Sequence, residues 1–448
     1  MTVDATAAPA DPDAEAPGTR RRLTQRELDR AIESHGRYIA GLEGGRRLDL
    51  TRTDLSGLDF TGRDLADATL RGARLAGARL DDTRLVRADL FGADLTRASL
   101  GRADLTGSDL RGTVLCGARL DDAILKSCDA RPGMLFARRR GGALDRLNPE
   151  ADGTATEVSL RGSDLTDARF AGRQMAATDF TGASLRGTRL AGAHLSRAVL
   201  RGVCLQDADL EGADLTGAIL HGAVLSGARL SATILDGADL TAAVVDPLVL
   251  AACAAAGARV PRRIMELDRP LATILAAHAE WLSTLGRDGR QADLSGVDLS
   301  AVAWDGLTLG AADLGGSVLR GARLDDCDLA MARLTGANLA EASVRGGRLR
   351  GANLGAAILT GAVFADGDLG TMPIVGSRSP DWTTVFRDAL ADHARFERCR
   401  LVGADFRGAV LRGAVFEDCD LTRADFTATE TGEVRFARCA LDGARFED

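Results

Sequence analysis

Residues 86–105 read VRADLFGADLTRASLGRADL, four successive groups of five that each end on Leu. The large residue falls at Leu90, Leu95, Leu100 and Leu105, and Ala88, Ala93, Ala98 and Ala103 stand two places before it. Residues two apart share a face of an extended segment, so each Ala–Leu pair points the same way, into a space narrow enough to demand Ala. The residue between them (Asp89, Asp94, Ser99, Asp104) points out. The two residues after the Leu are often polar then Gly, as in Arg71-Gly72 and Thr106-Gly107, and can turn a corner where Gly tolerates unusual dihedrals. A helix of 3.6 residues per turn cannot keep a five-residue stripe on one side, so the helical reading fails.

Outward from this stretch the period persists. A large apolar residue occupies every fifth position from Leu50 to Leu125, with Phe60 the only non-Leu. The series resumes in phase from Leu160 to Leu240, with Phe170, Met175 and Phe180 as variants. A third series runs from Leu294 to Leu369 and a fourth from Phe396 to Phe446, with a gap at Thr431. The last series sets the number of sides. Phe396, Phe416 and Phe436 recur every twenty residues, as do Phe406, Phe426 and Phe446, and the inward residues Cys399, Cys419 and Cys439. Twenty residues per coil means four five-residue sides, with like residues stacked at about the 4.8 Å inter-strand spacing.

Ala88-Asp89-Leu90, Ala93-Asp94-Leu95, Ala213-Asp214-Leu215 and Ala337-Asn338-Leu339 match the A(D/N)LXX pattern, and the chain resembles the pentapeptide-repeat family over most of its length. The resemblance implies an all-β solenoid, the right-handed quadrilateral β-helix of that family. Handedness comes from the resemblance and not from the spacing. A solenoid scaffold carries many activities, so the resemblance fixes no function.

Two segments switch to helical spacing. Leu28, Ile32, His35, Ile39 and Leu42 form one apolar face, with Thr24 and Glu27 as a capping box and Gly44-Gly45 as a stop. Leu271, Ile274, Leu275, His278, Leu282 and Leu285 form another, with Asp268 before Pro270 as the start and Gly286 as the stop. Each leads into sixteen repeat centres, an interruption, and further repeats. The order reads as a duplication: a disordered tail over 1–19, a helical cap over 20–45, a solenoid over 46–245 interrupted at 126–157, a helical linker and cap over 246–290, and a second solenoid over 291–448 interrupted at 370–393. The caps cover coil ends that would otherwise expose unpaired strand edges. Both interruptions are expected to hold short helices lying on outward apolar residues near the breaks, among them Val114, Ile124, Val199, Ile219, Val224, Ile234, Ile358 and Val363.

Composition excludes several classes. Half of the net charge of −8 sits in residues 1–19, so the repeats are near neutral and direct nucleic-acid binding is not expected. No apolar run is long enough to span a bilayer, and the N-terminus lacks the features of a signal peptide, which points to a cytoplasmic setting. The eight Cys show no CxxC and no zinc spacing. No nucleophile–base–acid set assembles by spacing, so no catalytic, cofactor or metal residue is assigned. His35 and His278 suit packing roles, and His393 repeats their His-x-x-aromatic spacing with Phe396. The Cys399, Cys419, Cys439 ladder reads as small buried hydrophobes. Arg138, Arg139 and Arg140 could meet phosphate or an acidic partner, or form a solvated loop. Trp382 and Phe386 could anchor a partner or pack on the solenoid wall.

The best-known activity in the family resembled is protection of DNA gyrase by mimicry of a DNA duplex, which requires a continuous acidic stripe. Stacked outward residues here alternate, as in Asp54, Arg74, Asp94, Val114, and only Asp49, Thr69, Asp89, Asp109 is mostly acidic. The expectation is therefore a non-enzymatic protein-binding scaffold for an unknown protein partner, with the gyrase-binding DNA mimic as the alternative. The last coil presents Phe426, Phe436, Leu441 and Phe446, and the resemblance implies pairing there, so a homodimer through C-terminal coils is expected.

Overall fold

The computed structural model describes residues 20–133, 136–138, 144–146, 158–300, 302–372 and 382–446. The repeats wind into an all-β, four-sided solenoid, the right-handed quadrilateral β-helix that the resemblance implies. Most sides carry a single parallel bridge to the coil before and the coil after. Leu70 N–H donates to Asp89 O at 2.7 Å, Asp89 N–H donates to Ala68 O at 2.9 Å, and across the corner Ala73 N–H donates to Leu70 O at 3.0 Å. The second corner residue sits in the left-handed region whatever its identity, with φ of 59° at Gly72 and 56° at Arg87. Inside, Ala88, Ala93 and Ala98 and the Leu centres beside them are buried.

The chain divides into two compact units. The first holds Met1–Asp179, Ser184–Leu195 and Asp209–Ala213; the second holds Phe180–Ala183, Ser196–Ala208 and Asp214–Asp448.

In the first unit, α1 (Gln25–Ile39) caps the coils with Leu28, Ile32 and His35 buried. The expected capping box is present: Thr24 N–H donates to Glu27 Oε2 at 2.8 Å and Glu27 N–H to Thr24 Oγ1 at 3.4 Å. The interruption begins later than the sequence suggests. Asp129 bridges both Asp109 and Arg169, and Ala130 is fully buried, so residues 126–130 belong to a coil. A small Ala at the centre position hides this from a search for large residues. The described part of the interruption is an antiparallel pair, β1 (Phe136–Arg138) with β2 (Leu144–Arg146), and not the helix expected. Next to the break, the Arg173 guanidinium donates to Thr113 O at 2.6 Å and Ala130 O at 3.2 Å, filling the wall with hydrogen bonds to carbonyls. Burial lowers its pKa to about 10.

In the second unit, α2 (Pro247–Ala255) is an excursion from the coils, since Asp239 still bridges Arg259 beyond it. A 3-10 turn, Ile264–Glu266, leads to α3 (Leu271–Ser283), which buries Ile274 and His278. Its N-cap is Pro270, and no side chain caps it, so Asp268 does not play the expected part. Five strands then stack in parallel: β3 (Ser343–Arg345), β4 (Val363–Ala365), β5 (Arg395–Glu397), β6 (Val415–Glu417) and β7 (Arg435–Ala437). They align Val344, Phe364, Phe396, Phe416 and Phe436. Phe396 and Phe416 stack at 4.7 Å between ring centroids, and the parallel pile of Phe386, Phe406, Phe426 and Phe446 meets them edge-on. Offset-stacked and edge-to-face arrangements are the favoured aromatic geometries, so the two piles suit each other.

The second interruption is also shorter than read. Val385 bridges Asn353 and Asp405, and Phe386, Leu390 and Ala391 are buried, so residues 384–393 are solenoid. An antiparallel bridge between Met372 and Trp382 closes the excursion, and no helix occurs among its described residues. Extra residues shift the phase of the repeat here, and Ala391 at a centre position conceals where it resumes.

Candidate interaction surfaces

Outward side chains form ladders of opposite charge. In the first unit Arg79 reaches Asp59 at 3.4 Å, Arg84 reaches Asp64 at 2.9 Å and Arg87 reaches Asp67 at 2.6 Å. In the second, Arg348 reaches Asp328 at 3.2 Å and Arg398 reaches Asp366 at 2.6 Å. Exposed pairs of this kind add little stability each, but they avoid the cost of like charges placed opposite one another. The mostly acidic side is neutralised in another way. Asp89, Asp109 and Asp129 stack, and corner arginines meet them: Arg71 at 3.0 Å, Arg111 at 2.6 Å and Arg131 at 2.7 Å. Hydrogen bonding from Arg131 holds the Asp129 carboxyl below its usual range. The Phe91 ring lies between the guanidiniums of Arg71 and Arg111, 4.8 and 5.3 Å from its centroid.

Within the second unit one ladder is covered. Val318, Asn338, Ile358, Leu390 and Val410 occupy outward positions, yet all are buried. Asn338, Ile358 and Leu390 dock on the corner that carries Gly202, Gly222 and Ala242. A Cβ on Gly202 would come within 2.7 Å of Leu390 Cδ1, so only glycine allows the approach. Polar groups fix the register: Asn338 Nδ2 donates to Ala242 O at 3.0 Å and Arg201 Nη2 to Asp388 O at 2.9 Å. His221, the corner residue between Leu220 and Gly222, packs against Gly336 at this contact, and its pKa is lowered, chiefly by burial. A coil corner thus covers Ile358, and not the helix or loop expected from the sequence. Ile124, Ile219 and Ile234 stay exposed.

A second glycine corner in the same unit is open. Gly217, Gly237 and Gly257 line a shallow cleft of about 270 Å³ with Ile219, Asp239 and Arg259. Ile219 is 42% exposed there, and Ile234, on the neighbouring side, is 52% exposed.

The residues singled out in the sequence separate. Trp382 is 50% exposed at the foot of the excursion and remains available. Phe386 does not anchor a partner: it is fully buried in the aromatic pile, 4.5 Å from Phe406. Arg138 ends β1, and Arg139 and Arg140 lie outside the described residues. Phe426 is buried, Phe436 is half-buried, and Leu441 and Phe446 are exposed.

The histidines of the two caps play matching structural parts. Leu48 N–H donates to His35 Nδ1 at 3.0 Å, and His35 Nε2 pairs with Ala66 O at 3.0 Å. Ala292 N–H likewise donates to His278 Nδ1 at 3.1 Å, while its Nε2 turns toward the Gly310 backbone without a full hydrogen bond. Each ring stacks on the aromatic three residues on, Tyr38 or Trp281. His393 does not share this contact. It is an exposed corner residue with φ of 55°. The Cys ladder is inward as expected: Cys419 Sγ donates to Phe396 O at 3.2 Å, just as Thr83 Oγ1 donates to Phe60 O at 2.9 Å.

Among the described residues no group of three or more His, Cys, Asp or Glu side chains is placed to hold a metal ion. No helix among them is long and apolar enough to cross a membrane. No curated protein matches the sequence. Among solved structures, HetL, a pentapeptide repeat protein involved in heterocyst differentiation regulation from Nostoc sp. strain PCC 7120, is 30% identical; the match covers 45% of this chain and 93% of HetL, with a TM-score of 0.26. Another pentapeptide repeat protein from Nostoc is 36% identical over 25% of this chain and 84% of its own, with a TM-score of 0.19. QnrB1 in a trypsin-treated form, a plasmid-mediated fluoroquinolone resistance protein, is 21% identical over 44% of this chain and 79% of its own, with a TM-score of 0.23. The family model described as pentapeptide repeats matches residues 64–97, 98–131, 178–217, 208–244, 305–339, 337–370 and 392–427, more than half of the chain. With its four-sided coils, stacked centres and small inward partners, the chain belongs to the pentapeptide repeat family.

Proposed function

We propose that the chain is a non-enzymatic, cytoplasmic protein-binding scaffold whose coil corners receive ladders of branched aliphatic side chains from a protein partner. The observation that carries this reading is the internal docking of Ile358 and Leu390 on the Gly222 and Gly202 corner. That contact is a worked example of protein recognition by a coil wall. The open corner of Gly217, Gly237 and Gly257 repeats its glycine floor, with Ile219 beside it. Ile234 and Trp382 supply further exposed anchors. The free state of all eight Cys suits a reducing compartment. Affinity capture with the full chain tests the reading. A partner held by the wild type should be lost from Ile219→Arg with the melting temperature unchanged. Equal capture by both proteins would count against the glycine corner.

The DNA-mimic alternative calls for an unneutralised acidic stripe. The pairing of Asp89, Asp109 and Asp129 with Arg71, Arg111 and Arg131 argues against it. A gyrase supercoiling assay separates the two: the scaffold reading expects no inhibition by the purified chain.

The same reading includes a second copy of the chain as a partner of the coil that exposes Leu441 and Phe446. Light scattering should give a dimer mass at tens of micromolar, falling to a monomer with Phe446→Arg. A monomeric wild type would remove this part of the proposal.

A further inference from the structure

Where outward residues on adjacent coils of the first unit are both charged, the charges alternate or stacked carboxylates are met by arginines from the corner. One place follows neither pattern. Arg169 bridges Arg189 in parallel register on adjacent coils, the only Arg–Arg pair among the bridges of the described residues. Their backbones are one rung apart, about 4.8 Å, so two cationic side chains leave the wall side by side. Neither guanidinium has a carboxylate within ion-pair distance among the described residues. Asp129, on the next rung, is already engaged by both ends of the Arg131 fork at 2.9 and 2.7 Å.

The pair opens on a cleft of about 480 Å³ lined by Ser127, Asp129, Asp167, Arg169, Gly187 and Arg189. Gly187 keeps the floor low, because a Cβ there would overlap the Asp167 carboxylate. Both arginines are exposed at the cleft, so they are free to turn toward a ligand. Like charges directly opposite one another destabilise a sheet, and although Asp129 and Asp209 flank the pair on the rungs before and after, neither is drawn into an ion pair with it. An anion from outside would relieve the pair.

We propose that Arg169 and Arg189 form a binding site for a phosphate monoester dianion. Two planar guanidinium forks offer paired donors to the phosphate oxygens, and a charge of −2 neutralises both cations. The cleft leaves room for the esterified group beyond the phosphate. Asp167, exposed at the rim, faces the same space and opposes the anion, so its removal strengthens binding. The phosphate could belong to a small molecule or to a phosphorylated side chain of a protein.

Calorimetric titration of the full chain tests this with inorganic phosphate, a phosphoserine peptide, and the same peptide carrying Ser or Glu instead. Wild type should bind both phosphate probes, with loss of about tenfold or more in Arg169→Gln and in Arg189→Gln. Asp167→Asn should bind several-fold more tightly, and added salt should weaken every complex. Tighter binding of the phosphopeptide than of inorganic phosphate identifies a protein source, and equal binding a small-molecule source. Arg189→Lys keeps the charge and the fold but loses the fork, and should fall between wild type and Arg189→Gln. Failure of both phosphate probes to bind, equal binding by the Arg169→Gln/Arg189→Gln double variant, or equal binding of the Glu peptide would overturn the proposal.

Discussion

A Cβ built on Gly222 would overlap the Cδ1 of Ile358 and lie 3.2 Å from its Cγ1, so the two residues touch as closely as an absent side chain allows. Gly222→Ala therefore adds overpacking to the strain of a left-handed residue. Gly212 has nearly the same φ, 64° against 66°, and nothing within 4 Å, which makes Gly212→Ala a control for backbone strain alone. Gly222→Ala should be less stable than Gly212→Ala by about 1–3 kcal/mol in denaturant melts. Equal stabilities would mean that the corner yields without cost.

The inner wall makes a second demand. Ala93 is fully buried between stacked neighbours, and Ala93→Leu should lose about 1–3 kcal/mol or more through overpacking. Arg79→Lys keeps the charge facing Asp59 and should change stability by less than about 0.5 kcal/mol. A melt of Ala93→Leu that matches wild type would refute the inward assignment.

The aromatic piles predict a gradient. Phe406 is buried between Phe386 and Phe426, and Phe406→Ala should cost about 3–5 kcal/mol. Phe446 is 46% exposed and stacks on one neighbour of its own pile, so Phe446→Ala should cost much less. Chemical denaturation of the two variants reads the difference directly.

The caps should be sensitive to acid. Burial lowers the pKa of His35 and of His278, so the folded state prefers the neutral rings. The unfolded chain takes up protons at these positions first as pH falls below about 6.5. Folding stability from the two rings is therefore present above that pH and declines below it. Hydrogen-exchange protection, taken relative to the intrinsic rate at each pH, should fall in α1 and α3 between pH 7 and pH 5 more than in the central coils, and His35→Gln should blunt the effect in α1. Uniform protection across that range would show that the caps do not depend on neutral imidazoles.

The coil was legible because each side repeats one small and one large inward residue, and the aromatic period of twenty counts the sides. The capping box of Thr24 and Glu27 was legible for a similar reason, being a local contact three residues apart. What failed to show was set by distance along the chain. Ala130 and Ala391 hold centre positions through stacking on coils twenty or more residues away, so a local search reads them as breaks. The local sequence leaves Phe386 open between anchor and wall because its neighbours in the pile, Phe364 and Phe406, lie on other coils. The docking of Ile358 on Gly222 joins residues 136 positions apart. A glycine two places after a centre looks like any other corner until the opposing side chain is in place.

Site-specific photo-cross-linking tests the scaffold reading most directly. A photoreactive residue placed at Ile219, beside the open glycine corner, is compared with one at Arg79, in a charged ladder. The account predicts a discrete cross-linked protein partner from position 219 in cells, absent from position 79 and abolished by Gly237→Val. No cross-link at 219, or the same adducts from both positions, would contradict it.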